Sequence, residues 1–149
     1  MLVGLVSDTH GTLPSGVARV FSRCQRILHA GDVGSLEVLR ELESIAPADA
    51  VAGNMDGALT GVLDELLRVT LAGANVIVAH RLEEALRAHR ASPADVLVVG
   101  HTHVPMVERR EGVLVVNPGS VSRPRSAAGA TVGVLEIAAR GAIARIVAV

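Results

Sequence analysis

Five short apolar runs, each followed by a polar side chain, limit the fold of this chain more strongly than any other feature of its sequence. The runs occupy residues 2–6, 27–30, 49–52, 75–79 and 95–99. Stretches with helical spacing lie between them at residues 14–24, 35–45 and 81–91. Alternation of strand and helix is typical of parallel strands joined by right-handed crossovers, so the pattern predicts an α/β arrangement for this part of the chain.

The last third of the chain has a different pattern, which favours strands alone. The residues after His103 are expected to form two hairpins, one turning at Glu111–Gly112 and the other near Arg140–Gly141. The sequence contains no internal repeat, linker or low-complexity segment. We therefore expect residues 1–149 to form a single domain.

Side chains that can bind metals follow the apolar runs in order. They are Asp8 and His10, then Asp32, Asn54, His80, and finally His101 and His103. Ligands of parallel sheets bind at the carboxyl ends of the strands, so these residues are expected to gather along one edge. Each of them alone has an ordinary structural explanation, such as a turn or a packed histidine. Together they indicate a metal site, because burying so many unpartnered polar groups would be costly.

The chemistry of these seven side chains indicates two ions. Aspartate, histidine and asparagine offer the nitrogen and oxygen atoms that borderline divalent metals accept. Seven groups are too many for one ion, but they suit two ions that share a carboxylate. In the segment "GHTH", His101 and His103 are two positions apart, so that in an extended segment both rings point to one side. Gly100 is expected to release the chain from the strand before them.

Composition restricts the partners that this chain can have. The formal net charge is −1 and Phe21 is the only aromatic residue, which argues against nucleic-acid binding. Cys24 is the only cysteine, which fits a reducing cytoplasm. The chain has no signal-peptide pattern and no apolar run near the ~20 residues of a membrane span. We expect a cytoplasmic protein without a membrane partner.

The ordered motifs "SDTHG", "HAGD", "GNMD", "AH", "GHTH" and "NPGS" resemble those of the calcineurin-like metallophosphoesterases. The resemblance covers essentially the whole chain and is strongest to the small YfcE-like phosphodiesterases. It implies a four-layer α/β/β/α sandwich of two mixed β-sheets flanked by helices. It also implies two divalent ions, with Asp32 bridging them. One ion is then held by Asp8, His10 and His103, and the other by Asn54, His80 and His101.

The resemblance further implies hydrolysis of a phosphodiester, or of a monoester, by in-line attack of a hydroxide that bridges the two ions. Asp32, Asn54 and His80 are the expected catalytic set, and Asn54 and Arg81 the expected substrate contacts. Mn²⁺ is the expected metal, although Fe²⁺, Ni²⁺ and Zn²⁺ accept the same ligands. The expected partners are a small phosphoester substrate and a second copy of the chain in a homo-oligomer.

Two positions depart from the family pattern. Many larger relatives have a histidine directly after the asparagine ligand, where it is thought to protonate the leaving group, but here the residue is Met55. A thioether cannot donate a proton, so the substitution predicts a preference for good leaving groups. Relatives also commonly have glycine where this chain has Arg81. That arginine either binds a phosphate oxygen or covers the mouth of the site in solvent.

Other residues are expected to support the site from behind the ligands. We assign this role to His29, Asp56 and Asn117. Arg123 and Arg125 lie in the loop after "NPGS", and either contact substrate or are solvated. His89 is expected on the solvent face of its helix, and Cys24 as a small buried hydrophobic residue.

Two other functions compete with phosphoester hydrolysis. A non-catalytic scaffold is possible, because the retromer subunit with this fold resembles these enzymes but serves binding. All seven ligand-type residues are retained here, which argues against it. A nuclease is the weaker alternative, because the chain is nearly neutral and too short to carry a DNA-capping domain.

Overall fold

The strands and helices follow each other in the alternating order that the sequence predicts. The computed structural model describes residues 1–59 and 61–149. The strands in this part are β1 (Leu2–Val6), β2 (Arg26–His29), β3 (Ala48–Ala50), β4 (Leu66–Leu71), β5 (Ala74–Ala79), β6 (Val96–Val98), β7 (Met106–Arg110), β8 (Val113–Asn117), β9 (Thr131–Ala138) and β10 (Gly141–Ala148). The helices are α1 (Ser15–Phe21), α2 (Leu36–Glu43), α3 (Leu82–Ala91) and a 3₁₀ turn at Gly57–Leu59.

The strands are divided between two mixed sheets of five strands each. The first sheet has the order β10-β9-β1-β2-β3, in which β1, β2 and β3 are parallel, β9 is antiparallel to β1, and β10 is antiparallel to β9. The second has the order β4-β5-β6-β8-β7, in which β5, β6 and β8 are parallel and the two outer strands are antiparallel. The carboxyl ends of the parallel strands carry the predicted ligands in both sheets.

Three apolar clusters arrange these elements into four layers. The largest lies between the two sheets and includes Leu5 and Leu28 from the first sheet and Val78 and Val98 from the second. A second cluster packs α1 and α2 on the outer face of the first sheet, and a third packs α3 on the outer face of the second. The expected α/β/β/α sandwich is confirmed.

Several local predictions need correction. The strand β4 was not among the predicted strands, and the segments predicted as α1 and α2 are longer than the helices that form. His89 is not simply solvent-facing, because it is half-buried and its Nδ1 accepts a hydrogen bond from the Ala94 N–H at 3.1 Å. Cys24 is partly buried, not enclosed. Among the described residues, no helix combines the length and apolar character needed to cross a lipid bilayer.

Candidate metal centre

The predicted ligands meet where the carboxyl ends of the two sheets come together. Asp8, His10, Asp32 and Asn54 follow strands of the first sheet, whereas His80, His101 and His103 follow strands of the second. The prediction of a single edge therefore needs correction, since the ligand-type residues line a boundary that both sheets share. This arrangement lets side chains approach one point from two directions, as a metal site requires.

Four of the seven side chains already form a compact cluster. Asp8, His10, Asp32 and His103 each offer a ligand atom, and these atoms all lie within 4.8 Å of one another. His103 Nε2 is 3.2 Å from Asp8 Oδ1 and 3.4 Å from His10 Nε2. Asp8 is fully buried and His103 is nearly so.

The hydrogen bonds of Asp8 leave one oxygen facing the centre without a partner. Its Oδ2 accepts from the Ser7 hydroxyl at 2.7 Å and from the His101 N–H at 3.1 Å. Its Oδ1 is buried and has no hydrogen-bond partner within the described part of the chain. A buried carboxylate oxygen without a donor is costly, and a cation at this point would remove that cost.

Two histidines present acceptor atoms to the same region. The Nδ1–H of His80 donates to the Ala30 carbonyl at 2.8 Å, and that of His103 to the Arg123 carbonyl at 2.7 Å. Because a carbonyl can only accept, Nδ1 is the donor in each ring, and the tautomer with this donor turns an unprotonated Nε2 toward the centre. The nearby carboxylate oxygens also present lone pairs to this region. Together these nitrogen and oxygen atoms are suitable ligands for divalent ions.

Asp32 lies between the two groups of histidines. Its Oδ2 is 3.9 Å from His10 Nε2 and 3.6 Å from His80 Nε2. Its Oδ1 accepts a hydrogen bond from the Met55 N–H at 2.8 Å, which fixes the carboxylate plane. A carboxylate in this position faces both sides of the centre.

The remaining ligand-type residues surround Asn54. Asn54 Oδ1 is 3.2 Å from His80 Nε2 and 3.0 Å from His101 Nδ1. Asn54 is exposed and His101 half-buried, whereas His80 is enclosed. We refer to Asp8, His10 and His103 as the Asp8 half, and to Asn54, His80 and His101 as the Asn54 half.

The surroundings of two imidazoles of the site, His10 and His101, favour the neutral form. Burial lowers the pKa of His10, an effect opposed by the Asp32 carboxylate. Burial also lowers the pKa of His101, and the Arg81 guanidinium lowers it further. Neutral imidazole is the form that ligates a metal, so both shifts favour metal binding at neutral pH.

The backbone at the predicted ligands is strained. Positive φ angles occur at Asp8 (54°), His10 (46°), Asp32 (54°), His101 (70°) and His103 (61°). Residues other than glycine rarely adopt this conformation, and it persists only where surrounding contacts enforce it. The turn in "GHTH" therefore comes from the histidines themselves. Gly100 is needed for space, since a Cβ there would collide with the Ser7 hydroxyl.

Asp56, Asn117 and His29 were predicted to support the site, and each forms hydrogen bonds with the loops that carry the ligand-type residues. The carboxylate of Asp56 accepts backbone N–H groups of Val33 (3.0 Å), Gly34 (2.8 Å) and Gly53 (2.8 Å), so it joins the loop of Asp32 to the loop of Asn54. Asn117 Nδ2 donates to the Gly100 carbonyl at 2.8 Å and thereby holds the "GHTH" turn.

His29 lies fully buried behind the Asp8 and Asp32 loops. Its Nδ1 accepts the Gly31 N–H at 3.2 Å, and its Nε2 is 2.9 Å from the Thr9 hydroxyl. Burial lowers its pKa to about 3. The ring is therefore neutral, which matches its role as an acceptor for Gly31.

Ser7 and Ser122 are supporting residues that the sequence reasoning missed, whereas Ser120 belongs to the "NPGS" loop that the family resemblance placed beside the metals. Ser7 orients the Asp8 carboxylate, while the hydroxyls of Ser120 and Ser122 donate to the Asp8 carbonyl at 2.8 and 3.0 Å. The only sequence signal was the position of Ser7 directly before Asp8. Arg123 and Arg125 are both exposed, and the Arg123 guanidinium contributes to the lowered pKa of His10.

A cavity of about 270 Å³ opens beside the Asn54 half. Asn54, His80 and Arg81 line it, together with two glutamates that sequence reasoning did not single out, Glu65 and Glu84. The exposed side of the centre thus continues into a space large enough for a small organic group.

The two-sheet sandwich and its cluster of aspartate, histidine and asparagine side chains define the class as a metallophosphoesterase. The profile of the calcineurin-like phosphoesterase superfamily domain matches residues 1–140 of this chain. The chain therefore belongs to that superfamily of phosphoester hydrolases.

Similar proteins carry related names. A probable metallophosphoesterase of Methanothermobacter thermautotrophicus is 38% identical over 137 residues, covering 84% of this chain and 80% of the relative. The phosphodiesterase YfcE of Escherichia coli is 30% identical over 162 residues, covering 91% of this chain and 88% of the relative.

Solved structures confirm the fold. An archaeal phosphodiesterase has a TM-score of 0.80 and 26% identity, covering 99% of this chain and 100% of that one. The Vps29 protein of Entamoeba histolytica, in complex with Zn²⁺, has a TM-score of 0.74 over 99% of this chain and 98% of that one. At 21% identity, the second likeness shows the fold alone.

Proposed function

We propose that this chain hydrolyses phosphodiesters at a centre of two divalent metal ions. The observation that carries the proposal is the position of Asp32, whose Oδ2 lies 3.9 Å from His10 Nε2 and 3.6 Å from His80 Nε2. A carboxylate between two groups of acceptor atoms is what a pair of ions would share. The Asp8 half would hold one ion and the Asn54 half the other.

When bound, the two ions supply Lewis acidity, which acidifies water and neutralises charge on the phosphoryl oxygens. The protein's own residues then orient the substrate. Asn54 is exposed at the centre, and Arg81 is exposed in the adjoining cavity with no ion pair among the described residues. We assign both side chains to the phosphoryl oxygens, because a guanidinium can donate two parallel hydrogen bonds to them.

Diesters are favoured over monoesters on two grounds. The relatives and neighbours with a named activity include phosphodiesterases. In addition, the Met55 side chain is 61% exposed and has no proton to give, so nothing at that position assists a poor leaving group. Aryl diesters should therefore be cleaved faster than alkyl diesters of similar shape.

The experiment is a metal panel on protein that has been stripped with a chelator. Mn²⁺, Fe²⁺, Ni²⁺ and Zn²⁺ are added separately, and hydrolysis of bis(p-nitrophenyl) phosphate and p-nitrophenyl phosphate is followed. We expect metal-dependent turnover with a higher kcat/KM for the diester, and Mn²⁺ as the most effective ion. Elemental analysis should give two ions per chain.

The second candidate is a binding scaffold of the same fold, which the likeness to Vps29 keeps under consideration. The same experiment separates the two functions. A protein that binds two ions and hydrolyses neither substrate with any metal contradicts the proposed phosphodiesterase and supports the scaffold.

A further inference from the structure

The cavity beside the Asn54 half has a charge pattern that phosphate binding does not explain. Arg81 lies in its wall next to His80, as a phosphate contact would. Glu65 and Glu84 line the same cavity, although carboxylates repel a phosphoryl group. Their presence suggests that the cavity receives another part of the substrate.

The positions of the two glutamates follow from the fold around His80. Strand β4 pairs antiparallel to β5 with Leu66 opposite Ala79, so Glu65 lies one residue beyond this pair, across from His80. Glu84 lies in the first turn of α3, which begins directly after Arg81. Both carboxylates are therefore attached to elements that also position the candidate centre.

Neither glutamate is neutralised by a partner in the described part of the chain. Among the described residues, no ion pair involves Glu65, Glu84 or Arg81. Asp56 also lines the cavity, but its carboxylate is already compensated by three backbone N–H groups. The free charges on the wall are thus two carboxylates and one guanidinium.

The cavity is poorly suited to a nucleobase or to a second phosphate. Phe21 is fully buried elsewhere and the chain has no tyrosine or tryptophan, so the cavity offers no phenyl or indole ring for a base to stack on. An additional anionic group would be repelled by the two carboxylates. A small cationic group is the complement of this wall.

We propose that the cavity receives one alcohol substituent of the phosphodiester and selects a substituent that carries a positively charged ammonium group. Arg81 faces the phosphate end of the substrate, and Glu65 and Glu84 face the ammonium end. This inference rests on the proposed phosphodiesterase function, and it narrows the substrate to diesters of amino alcohols.

The test compares two nearly isosteric probes as competitive inhibitors of bis(p-nitrophenyl) phosphate hydrolysis. Methyl 2-aminoethyl phosphate carries the ammonium, and methyl propyl phosphate has a methyl group in its place. We expect the amino probe to bind about five- to tenfold more tightly, since each exposed carboxylate contributes a modest amount. Inhibition constants are used because they report binding of the probe whichever of its two alcohol substituents occupies the cavity.

Variants assign the preference to the proposed residues. Glu65→Gln and Glu84→Gln should each lower the ratio of the two inhibition constants, and the double variant should bring it close to one. Glu83→Gln is the matched control, because Glu83 lies in the same turn of α3 but does not line the cavity. It should leave the ratio unchanged.

The outcomes separate this inference from the function on which it rests. A metal-loaded protein that hydrolyses the chromogenic diester but binds both probes equally overturns the inference and leaves the phosphodiesterase intact. Equal binding of methyl 2-hydroxyethyl phosphate and the amino probe also overturns it, since hydrogen bonding without charge would then suffice. Absence of hydrolysis with every metal overturns the proposed function and this inference with it.

Discussion

The Asp8 half and the Asn54 half of the candidate centre offer similar ligand atoms in different surroundings. The Asp8 half combines a fully buried carboxylate with His103, and hydrogen bonds with His101, Arg123 and Ser120 hold its side chains and its backbone. The Asn54 half has an exposed amide as its central group and opens into the cavity. The difference suggests a division of roles, with one half specialised for holding an ion and the other for admitting substrate.

The physical basis of this difference is preorganisation. Ligands whose side chains and backbone are already fixed lose little entropy when an ion binds. In the Asp8 half, the strained turns at Asp8, His10 and His103 are held by backbone hydrogen bonds, whereas the Asn54 side chain is exposed. We therefore expect the Asp8 half to bind its ion more tightly.

The largest effect should come from Asp32→Asn, which breaks the connection between the halves. The neutral amide cannot balance the charge of two ions, so both should be released more easily and hydrolysis should fall about 10³-fold or more. Elemental analysis and chromogenic turnover are the measurements. Retention of two tight ions in this variant contradicts the bridging role.

The next largest effect concerns the two halves separately. Asp8→Asn should lower the affinity for the more tightly bound ion about 100-fold. Losing a metal ligand should cost at least as much affinity as losing a residue that only supports a ligand. Asn54→Ala should weaken only the looser ion. Calorimetric titration of stripped protein with Mn²⁺ distinguishes the two events, and an equal loss from both halves in either variant argues against the asymmetry.

A smaller effect is expected when a proton donor is added to the Asn54 half. Met55 is exposed, so Met55→His should fold normally and place an imidazole at the entrance. A positioned general acid contributes ~10²–10⁴-fold to the rate. For the exposed imidazole of this variant we expect about a tenfold rise in the rate of hydrolysis, and only for alkyl diesters. The ratio of alkyl to aryl kcat/KM is measured alongside thermal unfolding. A well-folded variant with the parent's ratio counts against the missing-acid explanation.

The last effect does not concern activity at neutral pH: it is a pH dependence of stability that originates behind the Asp8 half. The pKa of His29 falls from 6.5 to about 3 in the folded protein, so the unfolded chain binds this proton first. The stabilisation is complete above pH 6.5 and is lost as the pH falls toward 3, by up to about 1.4 kcal/mol per pH unit. Denaturant unfolding of the metal-free protein at several pH values measures the slope. The slope should be shallower in His29→Gln, and identical slopes would exclude His29 as the source.

The sequence was sufficient for the general architecture because apolar runs and turn residues carry strong local signals. The positions of the strands that precede Asp8, Asp32 and His80 follow from those signals, whereas the four-layer fold follows from the family resemblance. Strand β4 was missed although Ala72–Gly73 marks a hairpin turn, because its partly exposed residues do not form a continuous apolar run. A search for apolar runs detects buried strands more readily than partly exposed strands at the edge of a sheet.

Features that depend on packing between distant segments could not be read from the sequence. The unpartnered Oδ1 of Asp8, the exposure of Met55 and the approach of Glu65 to His80 all arise from tertiary contacts. The left-handed backbone at the ligand residues is equally invisible, since these residues are aspartates and histidines, which adopt it only uncommonly, and not glycine. These conformations are imposed by the surrounding structure and not by local preference.

The hydrogen bonds from Ser120 and Ser122 to the Asp8 carbonyl span 112 and 114 residues of sequence, and they have a consequence for biosynthesis. Asp8 leaves the ribosome before His101, His103 and these serines. A nascent chain therefore cannot assemble the Asp8 half until translation has passed Ser122. Metal ions would be acquired after that point, so the ions that are free at that moment determine which metal the protein receives.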